Sequence, residues 1–224
     1  MNNKNKPKEL WDYATVKKIL LENLKNITQK DFIENDNNFQ KLDTIILYLI
    51  KNERFYESPI LRLKNQSIPD FNKGLLFIGG VGTGKSSFLK AMSKTLEPIH
   101  FLRTTYHLSS DLVKEYEGIL NPLNMKEFNN KYCNGRRIFD DLLKEKIASN
   151  FGKTNLIKEL IANRSENNRV TFAAMNYHNQ FPGNIEIALN QIGDYYDDFI
   201  YDRFFDMFNI VEFGGKSMRG KRLN

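Results

Sequence analysis

The spacing of hydrophobic positions along this chain changes near residue 74. Before it, apolar residues recur every three or four positions: Tyr13, Val16, Leu20 and Leu24, then Phe39, Leu42, Ile45, Ile46 and Leu49. That spacing places side chains on one face of a helix, so it predicts one helix from about residue 13 and a second over about 39–51. The Asn- and Asp-rich stretch 27–38 separates them, and Pro59 and Pro69 block helix continuation in the irregular segment beyond. From Gly74 onward, short apolar runs alternate with helical patterns. LLFIG (75–79) reads as a strand buried on both faces. Further strands are predicted at 99–108, 136–139, 169–176 and 209–213. Helices are predicted at about 85–96, 110–118, 122–132, 154–164, 185–191 and 195–207, with Ser109 or Ser110 and Asn121-Pro122 as starts. Strands alternating with helices predict an α/β fold, a parallel sheet with helices on both faces. Residues 1–9 carry no such pattern and are expected to be disordered.

Composition narrows the class. A chain of 224 residues is long enough for one α/β domain and a small appendage. Hydrophobic residues make up 41%, and no window approaches the roughly 18 apolar residues of a membrane span. The opening MNNKNKPKEL has no apolar stretch of the kind a secretory signal needs. The single cysteine, Cys133, cannot build an internal disulfide framework and reads as a partly buried thiol. A cytoplasmic protein without a membrane segment is expected. The net charge of +6 suits nucleic acid as a partner, although lysine- and asparagine-rich chains without such a partner carry similar charge.

The chemistry is concentrated in GGVGTGKS (79–86), which fits G-x-x-x-x-G-K-S/T between a predicted strand and a predicted helix. Glycines allow the backbone to wrap a phosphate with its N–H groups turned inward, and the helix N-terminus adds its positive end. Gly79, Gly80, Gly82 and Gly84 supply that backbone. Lys85 is placed to reach the β- and γ-phosphates of ATP and Ser86 to ligate Mg²⁺, with Val81, Thr83 and Ser87 adding contacts. A carboxylate at the end of a neighbouring strand should complete the metal site, and RIFDD (137–141) supplies it. Asp140 is the candidate metal carboxylate, and Asp141 the candidate for orienting the attacking water. The competing reading makes both aspartates charges at a helix start.

Three further features resemble one family. DDLLKEKIASNFGKTNLIKELIANR (140–164) is similar to the DDLGxE…FG…hhxxhhxxR pattern of DnaC-type helicase loaders and IstB-type transposition helpers, which are AAA+ ATPases. TFAAMN (171–176) puts Asn176 at a strand end, like the sensor 1 residue of AAA+ proteins. IYDRFFDMFNIVEFGGKSMR (200–219) resembles the end of the same families and matches their arginine finger with Arg203. The resemblance covers about residues 40–219. It implies an AAA+ P-loop domain at 39–224 behind a helical N-terminal extension at 1–38; the sequence departs from larger AAA+ proteins in that no C-terminal lid domain is expected after residue 213. It also implies ATP hydrolysis at a site shared between neighbouring subunits, and a role in DNA replication as a helicase loader. Transposition help, or a nucleotide-binding adaptor with little hydrolysis, are the alternatives.

Each carried-over role has a plain structural competitor. Asn176 could cap a turn, and Arg203 could pair with Asp206. Arg164 reads as a solvated helix end, and Arg219 as a terminal arginine that could touch phosphate. Leu143 stands where the family has glycine. The expected partners are a replicative helicase or other DNA-processing protein, further copies of the chain, and single-stranded DNA. In the extra helix pair after the second strand, Lys114, Tyr116, Lys126, Phe128, Lys131 and Tyr132 mix charge with rings, as backbone neutralisation and base stacking require. Trp11 and the N-terminal apolar stripe are candidates for docking the protein partner.

Overall fold

The computed structural model describes residues 11–150 and 152–217. The expectation for residues 1–9 and the suggestion for Arg219 lie outside that range. Two N-terminal helices, α1 (Tyr13–Thr28) and α2 (Asp36–Leu49), lead through a two-residue strand, β1 (Leu61–Arg62), to β2 (Gly74–Gly79) and α3 (Lys85–Leu96). There follow β3 (Thr104–Leu108), α4 (Ser109–Glu117), α5 (Pro122–Cys133) and β4 (Arg136–Asp140). A small hairpin, β5 (Ala148–Ser149) and β6 (Lys153–Thr154), precedes α6 (Leu156–Glu166) and β7 (Thr171–Asn176). The described chain closes with α7 (Ile185–Tyr195), α8 (Asp198–Met207) and β8 (Phe208–Glu212).

Six strands form one sheet in the order β1-β8-β2-β7-β4-β3. All its pairs are parallel except the antiparallel edge pair of β1 with β8. β2 sits inside the sheet and is buried throughout. Its side chains alternate between the two faces, as a pleated strand requires. Leu75 and Phe77 enter the core under α1, α2 and α3, while Leu76 and Ile78 enter the core under α4 to α8. Helices therefore cover both faces, as the alternating pattern predicts. Among the described residues, no helix is long and apolar enough to cross a membrane.

Several boundaries differ from the sequence expectation, each for a local reason. β3 starts at Thr104 rather than residue 99, because the chain turns through 97–102 and leaves Phe101 exposed. α6 starts at Leu156 rather than 154, since the Asn155 side chain caps it by accepting from the Lys158 N–H and the preceding residues pair as the hairpin. α8 starts at Asp198, with Asp197 accepting from the Ile200 N–H as its cap.

Three expectations are corrected by packing. The α1 stripe of Val16, Leu20 and Leu24 is buried against the chain's own α3, and Trp11 is half-buried beside the same core, so neither is a free docking face. Phe128 and Tyr132 are buried core residues, so they cannot stack on bases. Tyr116 packs edge-on against Phe128, and Lys131 and Lys114 pair with Glu115 and Asp111. Lys126 remains exposed.

The third correction concerns Arg164, which is fully buried rather than solvated. Its guanidinium donates to the carbonyls of Tyr132 at 2.8 Å, Gly135 at 2.9 Å and Val170 at 2.8 Å, and to Thr171 Oγ1 at 2.9 Å. It thus joins α6 to the turn before β4 and to the start of β7. Arg164→Met should cost about 3 kcal/mol or more in a denaturant titration, because several buried carbonyls lose a charged donor. A loss within experimental error would contradict this structural role.

Candidate functional site

The loop between β2 and α3 needs glycine at defined places. Gly82 and Gly84 have φ of 81° and 99°, left-handed values that suit residues without a Cβ. A Cβ on Gly79 would lie 2.1 Å from the Phe213 carbonyl oxygen, so no larger residue fits there. Gly84 caps α3 without a side-chain hydrogen bond. The first N–H groups of that helix are therefore open to an anion. The Thr83 hydroxyl donates to the Gly80 carbonyl at 2.9 Å and braces the loop across its base.

Sheet order brings the other residues to this loop. β7 lies beside β2 with Asn176 level with Gly79, and β4 lies beside β7. Strand-end residues distant in sequence thus meet at one end of the sheet. Lys85 Nζ donates to the Gly79 carbonyl at 2.8 Å, the Gly80 carbonyl at 2.7 Å and Asn176 Oδ1 at 2.9 Å. Burial holds the Lys85 pKa down to about 8, opposed in part by the charges of Asp140 and Asp141.

The two aspartates have different surroundings. Asp140 is buried; its Oδ1 accepts from the Asp141 N–H at 2.9 Å and its Oδ2 from the Tyr106 hydroxyl at 2.5 Å. Asp141 is left-handed, with φ of 61°, and pairs with Lys144 at 2.8 Å. Leu143 is left-handed too, at 67°. A leucine holds that conformation at a cost in strain.

A cavity of about 400 Å³ opens on this loop. Its polar end carries Gly82, Gly84, Lys85, Ser86, Ser87, Asp141, Lys144 and Asn176, with Val81 at its edge. The rest of its lining is mixed: Leu24 and Thr28 of α1, Lys30, Asp31, Phe32 and Ile33 of the connection to α2, Asn38 of α2 and Phe88 of α3. One wall therefore comes from the N-terminal helices, a contribution missed in the sequence because no motif marks it. Tyr106 and Lys144 were missed as well; only the i,i+3 spacing of Lys144 from Asp141 hinted at their pairing.

The donor set fits a nucleoside triphosphate, with N–H groups and an ammonium at the phosphate loop and Leu24, Phe32, Ile33 and Phe88 offering apolar surface elsewhere in the cavity. Ser86 and Asp140 could hold Mg²⁺ only together with phosphate oxygens. No cluster of three His, Cys, Asp or Glu suited to a metal occurs among the described residues, and Mg²⁺ commonly takes one or two carboxylates and completes its shell with phosphate and water. Arg203 lies outside the cavity on α8, its guanidinium 4.7 Å from the Phe199 ring and 4.0 Å from the Asp206 carboxylate. So long an exposed contact adds little stability.

No protein-family model matches the chain, and no curated protein matches it in sequence. Solved structures match its shape. A DnaC helicase loader superposes with a TM-score of 0.59 at 16% identity, covering 81% of this chain and 92% of that one. DnaI superposes at 0.54 with 17% identity, covering 88% and 93%. The chain has the DnaC-type AAA+ fold. AMPPCP-bound DnaA from Aquifex aeolicus shares it, with a TM-score of 0.52 at 18% identity over 82% of this chain and 48% of that one.

Within this AAA+ fold, Lys85 gives a pH signature. Its folded pKa lies below the ordinary lysine value of 10.5, so between about pH 8 and 10 the unfolded chain binds more protons and stability rises with pH. Lys85→Met should therefore make the change in melting temperature of the nucleotide-free protein from pH 8 to pH 10 less positive than in wild type. The same change in both proteins would show that Lys85 does not contribute to it.

Proposed function

We propose that this protein is an ATP-binding and ATP-hydrolysing AAA+ ATPase of DNA replication, acting as a DnaC-like helicase loader. The observation that carries this is the meeting of Lys85, Ser86, Asp141 and Asn176 around one open helix N-terminus, in a fold shared with a DnaC helicase loader. The structure of DnaA with AMPPCP and single-stranded DNA, at a TM-score of 0.52 and 19% identity, supports nucleotide binding and a DNA-processing setting. The division into an extension at 1–38 and an ATPase domain at 39–224 is retained, with the extension walling the nucleotide cavity. A cytoplasmic location follows from a replication role.

In this proposal the phosphates rest on the loop N–H groups, and Lys85 exchanges its carbonyl and amide acceptors for phosphate oxygens. Ser86 and Asp140 would hold Mg²⁺, which when bound would neutralise charge on the transferred group. Asp141 parts from Lys144 to orient the attacking water, and Asn176, released by Lys85, fixes that water from the other side. Arg203 faces the nucleotide of a neighbouring copy. A finger supplied in trans is worth about 10³–10⁵ in rate, so an isolated subunit should hydrolyse slowly. The partner acted on is a replicative helicase or another DNA-processing protein, with single-stranded DNA as a second ligand. The alternative, an adaptor that binds nucleotide with little turnover, would require Asp141 to stay with Lys144, an exposed pair worth little on its own.

Two experiments separate these outcomes. Asp141→Asn should keep Mg·ATP affinity by calorimetry and lose hydrolysis; loss of Mg²⁺-dependent binding would instead exchange the roles of Asp140 and Asp141. Arg203→Ala should bind ATP and hydrolyse it poorly, and mixing it with Lys85→Ala should restore activity, since the second variant offers an intact Arg203 to a neighbour that holds ATP. No recovery on mixing, with a lower melting temperature for Arg203→Ala, would make Arg203 a structural residue.

A further inference from the structure

Lys41 is the other buried lysine of this region, and no role above uses it. It lies on α2 among Leu42, Ile45 and Ile46 and is fully buried. Its Nζ donates to the Thr83 carbonyl at 3.2 Å and lies 5.3 Å from the centre of the Phe213 ring. Burial holds its pKa down to about 8, with no carboxylate acting against that shift. An ammonium so placed is costly, since methionine could fill similar space without desolvating a charge.

We infer that Lys41 is a positioning residue of the nucleotide site, holding the Thr83–Gly84 peptide from behind the phosphate loop and adding a second cation to the field there. The inference rests on the nucleotide reading above. In a planar trans peptide the C=O and the following N–H point in opposite directions. A Thr83 carbonyl drawn back to Lys41 therefore turns the Gly84 N–H to the far side, where Gly84 lines the cavity. The charge acts in the same sense. Lys41 Nζ on the Thr83 carbonyl and Lys85 Nζ on the Gly79 and Gly80 carbonyls put two cations on one strip of backbone, and a polyphosphate offsets both. Lys41 thus weakens the empty protein and strengthens the loaded one.

The test uses the full chain as wild type, Lys41→Met and Lys41→Gln, with calorimetric titration of Mg·ATP and of AMP and melting curves without ligand. For Lys41→Met, ATP affinity should fall about tenfold or more, as expected for a lost charged hydrogen bond. AMP affinity should change little, because the loop acts on the β- and γ-phosphates, and the ligand-free melting temperature should hold or rise. Lys41→Gln keeps a donor without the charge and should fall between; it also carries the comparison if the methionine variant does not fold. Equal ATP affinity in wild type and variants would overturn the inference. Parallel losses for ATP and AMP with a lower melting temperature would overturn it too, by making Lys41 a structural residue. A wild type that does not bind ATP would remove the nucleotide reading and this inference together.

Discussion

The Lys85 ammonium sits between the Gly79 and Gly80 carbonyls and the Asn176 amide oxygen, and three parts of the fold depend on that contact. β2 delivers the carbonyls, α3 delivers the lysine, and β7 delivers the amide. The charge is mostly buried, and burial holds its pKa below the ordinary value, so negative charge brought to the site would offset it. A phosphate loop with an open helix N-terminus favours an anion over a neutral ligand. The sheet order makes the arrangement available, because β7 lies beside β2 and brings Asn176 level with Gly79.

The N-terminal helices belong to the same economy of charge and shape. α1 and α2 cover one face of the sheet; α1 and the connection to α2 wall the cavity, and α2 places Lys41 behind the phosphate loop. Helices that resemble a removable appendage in sequence are packed as part of the site. This joins loop geometry to the packing of α2, so changes in the α2 core should be felt at the nucleotide.

Local patterns were the legible ones. The phosphate loop is contiguous, and its glycines are required by backbone angles that sequence alone can foresee. Strand ends carrying Asp140 and Asn176 were legible because short apolar runs end in polar residues. The destinations of apolar faces were not legible. Periodicity marks Val16, Leu20 and Leu24 as one face but does not say that α3 covers it, and the same limit applied to Phe128 and Tyr132. Arg164 defeated expectation because its partners are carbonyls of Tyr132, Gly135 and Val170, groups every residue has and no sequence advertises. The β5–β6 hairpin is too short to show a period. The left-handed angle at Leu143 was hidden by the leucine itself, because such angles are usually carried by glycine, asparagine or aspartate.

The most direct measurement is a crystal structure of the protein with AMPPCP and Mg²⁺. Lys85 Nζ should leave Asn176 Oδ1 and bond to β- and γ-phosphate oxygens, with Ser86 Oγ at the metal and the Gly84 N–H on a phosphate. A structure with the analogue bound elsewhere, and Lys85 still held by Gly79, Gly80 and Asn176, would contradict the assignment of this loop as the nucleotide site.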